Sequence, residues 1–198
     1  MIKLIPTNHL MSKEAIEGIL KDEGPEIIGI ELCEFREASI LDNQKVETVK
    51  ENKNEGLLGK ITNKIKQKAE RQNLDYGSDM KTALNFSIEN NIQRVLVDMP
   101  ILKIQELFNK IPKEEQEGFQ KELIEFESES LDKKVNEEEV LLTLKSRYPI
   151  AFEFLVNMRN LYIANQILRT EKENPNKRII IILGSAHLQQ VTKLLGIK

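Results

Sequence analysis

The chain has 198 residues, 40% apolar and 31% charged, which suits one domain with a substantial core. A formal net charge of -3 gives no overall positive field for nucleic acid or an anionic membrane, so no nucleic-acid partner is expected. Cys33 is the single cysteine, which excludes an internal disulfide, and the longest strongly apolar run, at 179–183, is far too short to cross a bilayer. With no signal-peptide pattern and no transmembrane segment in view, the chain reads as soluble and cytoplasmic.

The first apolar run, at 2–5, reads as a strand and leads into Pro6-Thr7-Asn8-His9. Ser12 can cap a helix through Leu20, with Glu14 in its first turn and Gly24-Pro25 as the stop. A second strand at 26–32 carries Glu31 near its end. Cys33 follows with nothing in the sequence to lower its pKa, and reads as a small packed residue. Arg36 needs a carboxylate, for which Glu31 or Asp79 is the natural partner. Residues 43–73 are rich in lysine, with Leu57, Leu58, Ile61, Ile65 and Ala69 on one helical face; a packed helix with a solvated basic face outweighs a membrane-binding one.

Met80, Ala83, Leu84, Ser87 and Ile88 follow helical spacing, and Asn90-Asn91 marks the exit to a third strand at 94–97. That strand ends in Asp98, which before Met99-Pro100 is also a candidate N-cap. Residues 113–139 are strongly acidic, with Phe119, Leu123 and Phe126 at helical spacing. A long helix is expected over 149–170, with Pro149 in its first turn. It is apolar nearly all round between 152 and 164, which implies burial on most sides; a homodimer would supply part of that burial. Arg159 and Asn160 interrupt the run, and a buried Arg159 requires an acceptor, because an unpaired buried charge costs several kcal/mol. The fourth strand, at 178–183, holds four consecutive isoleucines and leads into Gly184-Ser185-Ala186-His187. Leu188, Val191, Leu194 and Leu195 form a closing helical stripe, ended by Gly196.

Continuous, β-branched apolar runs separated by helices imply a mainly parallel sheet buried on both faces, hence an α/β fold. The chain reads as a single domain over 1–198, with charged helical insertions at about 43–73 and 113–146. In such sheets ligands bind outside the carboxyl ends of the strands. Four strands here deliver His9, Glu31, Asp98 and His187 to that edge. Each has an ordinary structural reading alone, and the concurrence is what points to a shared site. Two imidazoles with one or two carboxylates form a divalent-metal environment, compatible with manganese, zinc, cobalt or iron. Without metal, one histidine and one carboxylate form a general acid–base pair.

These residues resemble the TraB family, the pheromone-shutdown group that also takes in Tiki-type proteases. The family's first Gly-x-x-His turn aligns with Pro6-Thr7-Asn8-His9, and its strand-end Glu followed by Arg aligns with Glu31 and Arg36. A Gly-x-acid-Met block is matched by Gly77-Ser78-Asp79-Met80, the strand-end Asp by Asp98, and the helical Arg-Asp pair by Arg159-Asn160. The closing Gly-x-x-His is intact in Gly184-Ser185-Ala186-His187. Pro6, Met99 and Asn160 depart from the family pattern.

The resemblance implies a sheet-centred α/β fold and a metal-dependent, peptidase-like hydrolase acting on a peptide or small acyl substrate. His9 and His187 would then be metal ligands, and Glu31 a ligand or general base. Asp79 and Asp98 would complete the site, with Arg36 and Arg159 binding or stabilising negative charge. Two alternatives stay open: a non-catalytic peptide-binding or regulatory protein, which the departures favour, and a metal-independent, esterase-like hydrolase.

Overall fold

Ile179–Gly184 forms β4, the axis of the molecule, with all six residues buried. It pairs with β1 (Ile2–Thr7) on one side and β2 (Ile27–Ile30) on the other, and β2 pairs with β3 (Gln93–Leu96). All three pairings are parallel, giving a four-stranded sheet in the order β1-β4-β2-β3. The fold is therefore α/β with helices on both faces of the sheet, as the apolar runs imply. The computed structural model describes residues 1–8, 11–43, 67, 70, 77–130 and 136–197. His9 lies outside the described residues, as does all of the basic segment at 43–73 except residues 43, 67 and 70.

The two faces of the sheet are sorted by strand alternation. Ile28, Ile30, Ile180 and Ile182 face α1 (Lys13–Glu23) and α3 (Ser78–Glu89), where they meet Ile16, Leu20, Ala83 and Leu84. Ile27, Ile179, Ile181 and Leu183 face the other way, onto Ile163, Ala164 and Ile167 of α8 (Met158–Glu173) and Val191 of α9 (Ser185–Leu195). Gly29 makes room for its cross-strand neighbour, because a Cβ there would lie 2.3 Å from Ile181 Cδ1. Pro6 sits on β1, an edge strand, where its missing N–H removes no interior ladder bond.

Local signals set most helix ends. The Ser12 hydroxyl accepts from Ala15 N–H at the start of α1, and Gly24 ends it at φ 54°. Gly196, at φ 68°, ends α9. Between β2 and α3 the chain forms α2 (Glu34–Asn43). After β3 it forms α4 (Ile101–Phe108), α5 (Lys113–Ser130) and α6 (Glu137–Arg147). Ile111, Phe119, Leu144, Ala151 and Phe152 give these helices a core of their own. That core reaches the sheet through Met99, Ile104 and Leu107, against which Phe154, Leu155, Met158 and Tyr162 pack.

Three expectations need correction here. The long helix is not one regular rod: α7 (Pro149–Phe152) passes into a π-helical turn at Glu153–Asn157 before α8 begins. Nor is it buried on most sides, since Leu161 is 50% exposed while Ile163, Ala164 and Ile167 are buried. Asp98 does not cap the following helix either. Pro100 holds the N-cap position, and the Asp98 carboxylate turns inward instead.

Candidate functional site

The parallel topology carries the C-terminal ends of all four strands to one edge of the sheet. Glu31 follows β2 directly, in a turn closed by Leu32 N–H donating to Ile30 O. The chain beyond β3 stays tied to this turn: Val97 N–H donates to Ile30 O and Asp98 N–H to Leu32 O. These two bonds place Asp98 beside Glu31 although 67 residues separate them in sequence. Gly184, at the end of β4, donates its N–H to Glu31 Oε2 at 2.7 Å. His187 then falls in the first turn of α9, with Nε2 3.3 Å from Glu31 Oε1.

Arg159 of α8 crosses above this edge and joins the two carboxylates. Its Nε donates to Asp98 Oδ1 at 2.7 Å, and its Nη2 donates to Asp98 Oδ2 at 2.9 Å and to Glu31 Oε1 at 2.8 Å. The acceptor that a buried Arg159 demands is thus present twice. Arg36 also pairs with Asp98, through Nη2 and Oδ2. Its partner is Asp98 rather than Glu31 or Asp79, because the turn after β3 brings Asp98 to the start of α2. Two acids and two arginines balance in charge, which makes their burial tolerable.

Both carboxylates are deeply buried, Glu31 at 5% and Asp98 at 3% exposure. Burial pushes Glu31 toward the neutral form, but His187, Arg159 and the Gly184 N–H together outweigh it. They hold its carboxyl well below the usual carboxylate range. Burial likewise raises the Cys33 thiol, yet the Arg36 backbone N–H and guanidinium, with the Ile101 N–H, bring it below its ordinary value. Cys33 is therefore not the unperturbed packed residue that its sequence suggests.

Asp79 is brought to the same side of the sheet by a different route. It lies in the first turn of α3, fully buried, and accepts a 2.6 Å hydrogen bond from the Thr7 hydroxyl at the end of β1. Ser78 beside it donates to Met11 O at 2.7 Å, which anchors the start of α3 against the loop after β1. Asp79 thus supports the β1 end of the site. The open groove lined by Glu34, Glu37, Arg94 and Leu96 at the β3 edge contains none of these residues.

Asn160 and three residues not singled out from the sequence, Glu153, Asn157 and Gln190, complete the surroundings of His187. Its Nδ1 faces Asn160 Oδ1, Asn160 Nδ2 donates to Gln190 Oε1 at 2.6 Å, and Gln190 Nε2 donates to Asn157 Oδ1 at 2.9 Å. Asn157 Nδ2 donates in turn to Glu153 Oε2 at 2.6 Å. The available signal was spacing: Asn157 and Asn160 are three apart on one helix, as are His187 and Gln190 on another.

Among the described residues, no group of three or more His, Cys, Asp or Glu side chains converges to hold a metal ion. The chemistry of the donors agrees. Both Asp98 oxygens accept from arginine, and Glu31 Oε2 accepts from a backbone N–H. Only His187 Nε2 and Glu31 Oε1 face each other, and Glu31 Oε1 already takes a bond from Arg159. The described residues thus contribute two donors, where a catalytic zinc usually has three protein ligands, and His9, the third expected ligand, lies outside the described residues.

No protein-family model matches the chain, and no solved structure matches it. The chain is similar to an uncharacterized protein, MJ1365, of Methanocaldococcus jannaschii, at 26% identity over 212 residues. The match takes in 98% of this chain and 53% of that protein. The chain thus spans about half the length of this relative. No helix among the described residues is long and apolar enough to cross a membrane.

Proposed function

We propose that the strand-end cluster is a hydrolase-type acid–base site for a peptide or small acyl substrate, with His187 as the proton carrier. The observation that carries this reading is the contact of His187 Nε2 with Glu31 Oε1, set among two arginines at the carboxyl ends of parallel strands. With Glu31 held as the carboxylate, a hydrogen on Nε2 makes the contact attractive, and that hydrogen is the one available for transfer. His187 gives it to the leaving group as water attacks the acyl carbon, and Nε2 then takes the proton released by that water. Bond and proton balance are those of simple hydrolysis, and such a group supplies on the order of 10²–10⁴ in rate.

The arginines divide the remaining work. Arg159 spends three hydrogen bonds on Glu31 and Asp98, so it orients the carboxylates and neutralises them. Arg36 keeps 35% of its side chain exposed, and supplies the positive charge that meets a substrate oxygen as it turns anionic. The order of the motifs from Pro6 to His187 supports a TraB-like origin for the site.

A panel of chromogenic esters and fluorogenic peptides, assayed with wild type, His187→Gln and His187→Ala after exhaustive chelation, tests the reading. Turnover that survives chelation and disappears in both variants is the expected result. Turnover lost to chelation and restored by one metal would replace it with the metal-dependent reading, in which His9, His187 and Glu31 are ligands. Saturable peptide binding without product would replace it with the regulatory one.

A further inference from the structure

The amide groups beside His187 form a chain whose direction is set at its far end. The Glu153 carboxylate accepts, so Asn157 must present its NH₂ to Glu153 and its carbonyl to Gln190. Gln190 must then present its NH₂ to Asn157 and its carbonyl to Asn160, and Asn160 its NH₂ to Gln190. Only the Asn160 carbonyl is left for the imidazole, and a carbonyl accepts. We infer that Glu153, Asn157, Gln190 and Asn160 are positioning residues that hold a hydrogen on Nδ1 of His187 and leave Nε2 as its one exchangeable site.

The π-helical turn is what lines these groups up. Met158 N–H reaches back to Glu153 O, one residue further than in an α-helix, which widens the turn carrying Glu153 and Asn157. The same helix then continues through Asn160, 1% exposed, directly next to Arg159 in sequence. The side chains of Asn157 and Asn160 bracket Gln190, and those of His187 and Gln190 bracket Asn160. An isolated imidazole favours the hydrogen on Nε2, and Glu31 on that side would reinforce the preference. The relay opposes both. Neutral His187 therefore keeps its lone pair on Nε2, the nitrogen on the Glu31 side, free to take up a proton.

The inference rests on the acid–base reading only for the use made of Nε2, and its test does not depend on turnover. The chain holds two histidines, so the imidazole nitrogens of ¹⁵N-histidine-labelled protein give four resonances, assigned with His9→Gln. Long-range ¹H–¹⁵N correlation at alkaline pH is expected to show a protonated Nδ1 and a bare Nε2. Asn160→Asp keeps an acceptor facing Nδ1 and preserves that pattern, whereas Asn160→Leu moves the hydrogen to Nε2. Glu153→Gln, at an exposed position, removes the fixed end and lowers the Nδ1–H fraction even if Asn160→Leu fails to fold. A wild-type spectrum with the hydrogen on Nε2, or one unchanged in Glu153→Gln, overturns the relay. If the tautomer is as stated and no ester or peptide turns over, the relay stands and only the hydrolase reading fails.

Discussion

Arg159 grips Asp98 with two parallel hydrogen bonds, Nε to Oδ1 at 2.7 Å and Nη2 to Oδ2 at 2.9 Å. The pair joins α8 to the end of β3 and closes one side of the site. Its geometry is the fork that a guanidinium makes with a carboxylate and a lysine cannot reproduce.

Removing one partner leaves the other buried. Arg159→Met strands a side chain of Asp98 that has no exposure, although Arg36 still faces it. The expected loss is about 2 kcal/mol, below the ~3–5 kcal/mol of a wholly abandoned buried charge. Urea unfolding of Arg159→Met, Asp98→Asn and the double variant measures this. The two single losses should exceed the double loss by about 1 kcal/mol or more, as expected for residues in direct contact. Additive losses would mean that the fork contributes nothing to stability.

Gly184 is required for closeness rather than for backbone freedom. Its φ of -57° is open to any residue, but an added Cβ would lie 3.0 Å from Glu31 Oε2 and 3.7 Å from His187 Cδ2. Gly184→Ala must push the carboxylate by a few tenths of an ångström. Turnover should fall about tenfold, short of the ~10²-fold that a 1 Å misplacement costs. Steady-state kinetics beside a thermal melt separates this from simple destabilisation. A large drop in melting temperature with unchanged kcat would contradict it.

Glu31 makes stability depend on acid. Its carboxyl is held low in the folded state, so the unfolded chain takes up a proton at higher pH than the native one does. Its contribution is fully present at neutral pH. It begins to fade as pH falls past the ordinary carboxylate value, and it is gone once pH drops below the depressed folded value. Glu31→Gln cannot titrate and should flatten this acid limb, at the cost of lower stability at pH 7. Melting temperatures of both proteins between pH 7 and pH 3 give the comparison; parallel curves would show that Glu31 does not carry the dependence.

Much of the scaffold was legible because its causes are local. Four isoleucines in succession demand a strand covered on both faces, and β4 has that position. Ser12 and Gly24 bound α1 through contacts within a few residues of themselves. Glu31, Asp98 and His187 could be placed on one edge because parallel strands share a direction, so residues that follow them share an end. Helix ends were less legible where the chemistry was distant. Asp98 looks like a cap in sequence, but its carboxylate takes two arginines from separate helices and the Met99 N–H, and the helix start falls to Pro100.

The amino-acid sequence by itself determined the α/β class, the parallel strands and the meeting of Glu31, Asp98 and His187 at their carboxyl ends. Hydrophobic runs, caps and turns act over a few residues, and their effect is written in order along the chain. Which charge meets which was decided only by the tertiary structure. Arg36 sits 62 positions from Asp98, and Arg159 sits 128 from Glu31, and nothing in local sequence ranks one carboxylate above another. The same holds for the path from Glu153 to His187. Its members lie on the π turn, on α8 and on α9, and only the packing of these elements gives each amide a single partner and a direction.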